Sequence, residues 1–366
     1  MKIVFASYAY SPEYNDPQSW LQRIDFYTGI LTRLAFKHTI ISIEQIDHEG
    51  IYPHQGVQYH FKKLTKLGRN FPFKLHGYIK GFEPDVVFIH GLHFSHQIIQ
   101  LRLHLGANVK IIAQHHAEQP YRGFKKLMQQ LADKCINAYL FASRDMGLEW
   151  VKRGNIAKPE KIHQVMEVSS VFGVIDKRIA LSKTGISGSP VFLWVGRLNQ
   201  NKDPLTVVRA FLQYARSNTA ARLYMIYQTE ELLSQIIKLI ECNPLGKETI
   251  TLVGKIQHPE LLYWFNSADF MISGSHYEGS SVVVCEAMSC GVIPIVTDIL
   301  SFKMMTDNGK CGFLYQPGNQ VALLASLLQT EAMGVTAKHE ACLRFYKYEL
   351  SFEAIAGKIE QVALSL

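Results

Sequence analysis

The chain has 366 residues, 48% hydrophobic and 19% charged, a length that fits two domains and a composition that excludes a disordered or fibrous chain. No apolar run approaches the roughly 18 residues of a membrane span, which excludes a transmembrane helix. The formal net charge of +7 is uneven, because residues 1–180 hold 23 of the 38 Lys and Arg but only 15 of the 31 Asp and Glu. A basic first half is compatible with an acidic acceptor, a phosphate-bearing lipid, an anionic membrane surface or plain solvated surface. Nucleic acid is disfavoured, because no binding module accompanies the charge.

Met1–Ala6 is strand-like and ends too soon for a signal peptide. Six scattered cysteines lack C-x-x-C spacing and read as reduced, mostly buried thiols of a cytoplasmic protein. Ile3–Ala6 is the first buried strand. The Tyr- and Pro-rich loop Ser7–Asp16 follows, and Asp16-Pro17 opens a helix whose stripe is Trp20, Ile24, Leu31 and Leu34. His38–Ile43 is a second strand. Between residues 61 and 80, Lys62, Lys63, Lys66, Arg69, Lys74 and Lys80 interleave with Phe61, Phe71, Phe73 and Tyr78. That pattern suits a membrane interface or surface helices with a buried aromatic face. Asp85–Ile89, Val109–Ala113 and Ala138–Ala142 are further strands. Strand–helix alternation implies a parallel, doubly wound α/β sheet, whose ligands gather at the carboxyl ends of its strands. His90, His115 and His116 fall at such ends. Their spacing is not that of a zinc site, and capping or packing roles are the plainer alternatives.

Gly173–Ser189 reads as an interdomain linker. The alternation then restarts, with strands at Pro190–Val195, Arg222–Ile226, Ile250–Val253, Phe270–Ile272 and Ile293–Val296 and a short run at Gly312–Tyr315. Asp203-Pro204 is a second cap-and-proline helix start. Just before it, Gly196 allows a tight turn, and Arg197 and Lys202 can reach one phosphate-sized anion. In the last helix, Phe352, Ile355, Ile359, Val362 and Leu366 make one stripe.

The densest signal is the stretch 273–291. A strand breaks into a loop of small residues, and a helix starts at Val282 with Ser281 as its N-cap and stops at Gly291. Glu278 lies in the loop and Glu286 lies eight positions later on the helix. A helix opening after a strand is an anion site. Carboxylates on either side of it can accept hydrogen bonds from sugar and ribose hydroxyls. Spacing alone is weak, since glutamates eight apart arise by chance.

This stretch resembles the E-x₇-E signature of retaining, metal-independent glycosyltransferases of the GT-B fold (the family 4 type), and Gly196–Lys202 is similar to that family's diphosphate site. The resemblance covers most of the chain and is specific from Val191 to Tyr315. Two departures stand out. The loop reads Glu278-Gly279-Ser280-Ser281, without the family's aromatic and second glycine, and the first loop lacks the paired glycines that let backbone approach donor phosphates.

The resemblance implies two Rossmann-like domains facing a cleft. Residues 1–175 would form an acceptor-side domain and 186–345 a donor domain, with 346–366 a helix crossing back. It implies a UDP-sugar or GDP-sugar donor, no cofactor and no metal, and a glycan, lipid-linked or small-molecule hydroxyl acceptor. Arg197 and Lys202 would hold the diphosphate, and the backbone at Ile256 the base. Glu286 would hold the ribose, and Glu278 with Gly279, Ser280 and Ser281 the sugar. His116, or with a poorer match its neighbour His115, would as a neutral imidazole contact the sugar from the first domain, and His116 and Glu278 are the expected catalytic pair. The absence of any D-x-D triplet agrees with a metal-free enzyme. Alternatives are a GT-B sugar-nucleotide epimerase and a non-catalytic nucleotide-sugar-binding protein. A dinucleotide oxidoreductase is disfavoured, because the chain contains no G-x-G. The expected location is the cytoplasm, with the inner face of the membrane as a further option.

Overall fold

The structure, a computed structural model, describes residues 1–332 and 335–366. The chain divides into two compact units, Met1–Ser169 with Phe352–Leu366, and Ser170–Ser351.

The first unit is built on an eight-stranded sheet. Its strands are β1 (Lys2–Ala6), β2 (Thr39–Glu44), β3 (Gly50–His54), β4 (Val57–Phe61), β5 (Val86–His90), β6 (Lys110–Gln114), β7 (Ala138–Phe141) and β8 (Ile162–Gln164), in the order β3-β4-β2-β1-β5-β6-β7-β8. All neighbours are parallel except the hairpin β3–β4. The central strand β1 carries Ile3, Val4, Phe5 and Ala6, all buried, as befits a strand covered on both faces. The helix Phe352–Ser365 lies on the helix Asp25–Ala35. A Cβ at Gly29 would stand 2.6 Å from the Phe352 ring, so the contact needs glycine. Arg33–Glu353 at 2.6 Å and Lys37–Glu360 at 2.9 Å flank it, and Ile355, Ile359 and Val362 are its buried stripe.

The second unit holds β9 (Val191–Gly196), β10 (Arg222–Tyr227), β11 (Ile250–Gly254), β12 (Phe270–Ser273), β13 (Ile293–Thr297) and β14 (Phe313–Tyr315), all parallel, in the order β11-β10-β9-β12-β13-β14. The chain winds outward from β9 to β11 and then restarts on the other side at β12. The switch point between β9 and β12 is where a doubly wound sheet opens a crevice at its carboxyl edge.

Four readings of the sequence are corrected. The hairpin β3–β4 and the edge strand β8 were not anticipated. The residues of β3 are mostly exposed, and without a buried face there is no alternation to read. Phe61 is not part of a surface aromatic set: it ends β4 fully buried, whereas Phe71 and Phe73 are 52% and 51% exposed. The helix after Asp16-Pro17 does not run unbroken. It stops at Arg23 and restarts at Asp25, because Ile24 leaves the helical region with φ −110° and ψ 25°. The segment 173–189 is not all linker. Lys177–Thr184 is a helix capped by Asp176, which accepts from the Arg178 N–H, and ended by Gly185 in the left-handed region.

Candidate functional site

At the end of β9, Arg197 is exposed and, among the described residues, pairs with no carboxylate. The Asn199 side chain accepts from the Lys202 N–H at 3.0 Å and closes one tight turn over Gln200–Lys202. Asp203 then takes a left-handed conformation, φ 41°, and caps the helix Pro204–Tyr214 through the Thr206 N–H at 3.2 Å. Lys202 therefore rises from a short turn fixed at both ends.

The loop after β12 is brought against this turn by a glycine. A Cβ at Gly274 would lie 2.9 Å from the Asp203 carbonyl and 3.0 Å from that of Lys202, so another residue would push the two loops apart. Asn201 then laces them. Its Nδ2 donates to the Tyr277 carbonyl at 3.0 Å, its Oδ1 accepts from the Tyr277 N–H at 3.1 Å, and its own carbonyl accepts from the His276 N–H at 2.8 Å. The result is an ion pair, with Lys202 Nζ 2.5 Å from Glu278 Oε1 and side chains 23% and 15% exposed.

Gly279, Ser280 and Ser281 lead from Glu278 into the helix Val282–Ser289. Ser281 caps it by accepting from the Val284 N–H, and Gly291 leaves it at φ +79°. Glu286, in the second turn of the helix, is almost fully buried, and its Oε1 lies 2.5 Å from His258 Nε2. His258 heads a short turn closed by the reciprocal cap of Gln257 and Glu260, and its ring stacks on Phe172 at 5.1 Å. Ile256 lies half-buried between that turn and Gly254, whose φ is +83°. Arg197, Lys202, Glu278, the helix start and Glu286 thus surround the β9/β12 switch point of one unit.

In the first unit, β6 ends at Gln114 and the next two side chains diverge, as extended backbone requires. His115 is buried. Its ring stacks on Phe141 at 4.6 Å, and its Nε2 lies 2.8 Å from the Glu118 carbonyl. Burial holds its pKa below the ordinary histidine value. The His116 side chain is 43% exposed, and its Nδ1 forms an ion pair with Glu167. Burial opposes charge on this ring, but the Glu167 carboxylate outweighs it and raises the pKa to about 9. Against the neutral imidazole that the resemblance implies, the Glu167 carboxylate favours the charged form of the His116 ring. His90 hydrogen-bonds the Tyr27 hydroxyl at 2.5 Å, and burial, then the neighbouring His116, keeps it neutral.

Glu118 ties this loop together. It accepts from the Leu92 N–H at 2.7 Å and the His116 N–H at 2.9 Å, and it lies 3.0 Å from His93 Nδ1. Burial pushes its pKa up, but these hydrogen bonds and the nearby His115 hold it well below the usual carboxylate range. Sequence reasoning missed Asn201, His258, Phe172, Glu118 and Glu167. For His258 a signal existed, since Gln257-His258-Pro259-Glu260 is a helix-start pattern at a strand's carboxyl end. Nothing in the sequence links Glu167 to His116.

Residues 176–348 match the family model of glycosyl transferases group 1. Among curated proteins, the chain is similar to D-inositol 3-phosphate glycosyltransferase of Pseudarthrobacter chlorophenolicus, 24% identical over 124 residues, which is 33% of this chain and 30% of that protein. It is also similar to D-inositol 3-phosphate glycosyltransferase 1 of Catenulispora acidiphila, 25% identical over 190 residues, 48% of this chain and 45% of that one. The matches span less than half the length of these relatives. Among solved structures, sucrose-phosphate synthase from Thermosynechococcus elongatus aligns over 100% of this chain and 98% of its own, with TM-score 0.72 and 15% identity. The Anabaena protein HepE in complex with UDP aligns over 100% of both chains, with TM-score 0.72 and 13% identity. At such identities the likeness is one of fold. The chain has the GT-B fold, and its residues 176–348 are similar to the glycosyl transferases group 1 family.

Proposed function

We propose that the protein is a retaining glycosyltransferase that moves a sugar from a nucleotide-diphosphate donor to a hydroxyl acceptor in glycan or glycolipid synthesis, without a metal. The observation that carries this reading is the closure of two loops by Gly274 and Asn201, which sets Lys202 against Glu278 at the start of the helix bearing Glu286. Arg197 and Lys202 neutralise the charge that grows on the departing diphosphate, a stabilisation of the transition state rather than of bound substrate. Lys202 enters that role by turning from Glu278, which frees a carboxylate for the hydroxyls of the donor sugar. Backbone N–H groups at Gly279, Ser280 and Ser281 add the positive end of a helix. Glu286, oriented by His258, accepts from the ribose hydroxyls, and the backbone at Ile256 contacts the base. His116, charged and aligned by Glu167, donates to the transferred sugar.

The titratable cations at this site take over the work that a divalent ion does where carboxylates bridge a metal to the diphosphate. A UDP donor is favoured over GDP by the UDP held in the similar HepE structure.

Calorimetry with UDP and GDP tests the assignment. Arg197→Ala, Lys202→Ala and Glu286→Ala should each weaken nucleoside-diphosphate binding, the first two by about 1.5–3 kcal/mol, the scale of a lost charge-assisted hydrogen bond. Unchanged affinity in all three would sink the reading. So would turnover that vanishes in a chelator and returns with magnesium.

A further inference from the structure

The helix Gly123–Asp133 in the first unit is folded inside out. Its apolar residues Phe124, Leu127 and Leu131 recur at steps of three and four, the spacing of a core-facing stripe. They are instead 74%, 51% and 41% exposed. The buried face holds one small apolar residue, Ala132, and is otherwise polar. Gln129 is fully buried, accepts from the Ser95 hydroxyl at 2.9 Å and donates to the Tyr139 hydroxyl at 3.1 Å. Asp133 is also buried. It accepts from the Tyr139 hydroxyl at 3.0 Å and the Ala157 N–H at 3.1 Å, and pairs with Lys161 at 3.1 Å. These bonds fix the helix's rotation, so the apolar stripe cannot roll inward without breaking a satisfied buried network.

We propose that this face docks on an anionic lipid surface. The stripe is flanked by Arg122, Lys125, Lys126 and Lys134, and the only carboxylate between residues 122 and 134, Asp133, is turned inward. Apolar side chains at the centre with cations at the edges fit the boundary between acyl chains and acidic headgroups. A second copy of the chain is a poor match, since a two-fold contact would set these cations against one another. The basic and aromatic residues at 61–80 are thus not the only apolar–cationic surface, and this one stands whether or not the chain transfers sugars. The helix follows directly on the loop that bears His115 and His116, so docking would fix the base of that loop at the surface.

Co-sedimentation of the full chain with phosphatidylcholine vesicles, with and without phosphatidylglycerol, tests the proposal. Binding should require phosphatidylglycerol and fall with salt. Phe124→Ser/Leu127→Ser/Leu131→Ser should lower it about tenfold or more, and Lys125→Glu/Lys126→Glu by at least about fivefold, whereas Val321→Ser, an exposed apolar residue of the second unit, should leave it unchanged. As a probe that needs no disruptive change, Phe124→Trp should be quenched by brominated lipid. Undiminished sedimentation of the triple variant, or an unquenched Trp, overturns the proposal. A native dimer in lipid-free buffer that the triple variant dissolves would assign the face to a second copy and overturn it equally.

Discussion

The loops of the second unit and the loop after β6 in the first both end parallel strands, yet they hold their charges differently. In the second unit a cation and a carboxylate face each other, Lys202 on Glu278, as two halves of what a diphosphate and a sugar would each claim. In the first unit two carboxylates, Glu118 and Glu167, bracket the histidines, and one is spent on backbone N–H groups while the other charges His116. The difference teaches that the first arrangement is poised to open and the second is built to stay. A part-buried lysine–glutamate pair loses in desolvation much of what it gains in attraction. A carboxylate that accepts two backbone N–H bonds is committed to its loop.

The sharpest way to break this comparison is Glu278→Ala. If the pair opens to admit donor, the variant should lose turnover by roughly a hundred- to a thousandfold, the scale of lost transition-state contacts, while its affinity for the nucleoside diphosphate is retained or rises because Lys202 is released. A loss of both in equal measure would show that Glu278 only shapes the loop.

A smaller effect is expected in the first unit, where the two adjacent histidines should separate cleanly. His116→Ala should lower turnover by about ten- to a thousandfold and, at neutral pH, also cost some stability by taking the imidazolium away from buried Glu167. His115→Ala should spare turnover and cost about 1–3 kcal/mol of stability through lost packing on Phe141 and an unsatisfied loop carbonyl. A collapse of rate in His115→Ala beside a normal His116→Ala would reverse the assignment.

The smallest expected effect is a titration. His116 is raised from 6.5 to about 9, so its pairing with Glu167 stabilises the fold fully below pH 6.5 and loses that contribution as pH rises through about 9. In Glu167→Gln the burial that disfavours the imidazolium is opposed only by the smaller pull of Glu118, and the ring should titrate below 9. Histidine NMR across this range reads the shift directly. An unmoved titration in Glu167→Gln would mean that another group holds the charge.

How much of this was legible in the sequence follows from where each signal lives. The strands with buried faces, from Ile3–Ala6 to Ile293–Val296, were legible because apolar runs between turn residues have few other readings. The helix caps at Asp16, Asp203 and Ser281 were legible because a cap is a property of four consecutive residues. The β3–β4 hairpin was not, as its outer strand buries almost nothing. The stripe Phe124, Leu127 and Leu131 shows the limit from the other side, since periodicity marks a face but not the direction it looks.

The sequence by itself determined the α/β class, the doubled parallel architecture and the place of the Glu278–Glu286 stretch, because those depend on local pattern and short spacing. Only the tertiary structure decided the state of the candidate site. It closed the Lys202 and Glu278 loops through Gly274, set His258 against Glu286 from 28 residues away, and brought Glu167 to His116, where the carboxylate favours the charged form of the ring. The physical reason is range. A cap or a strand is fixed by bonds within a few residues, whereas a side chain's charge and orientation are set by whichever groups the fold carries to within a few ångströms of it, and the chain does not record that proximity in its order.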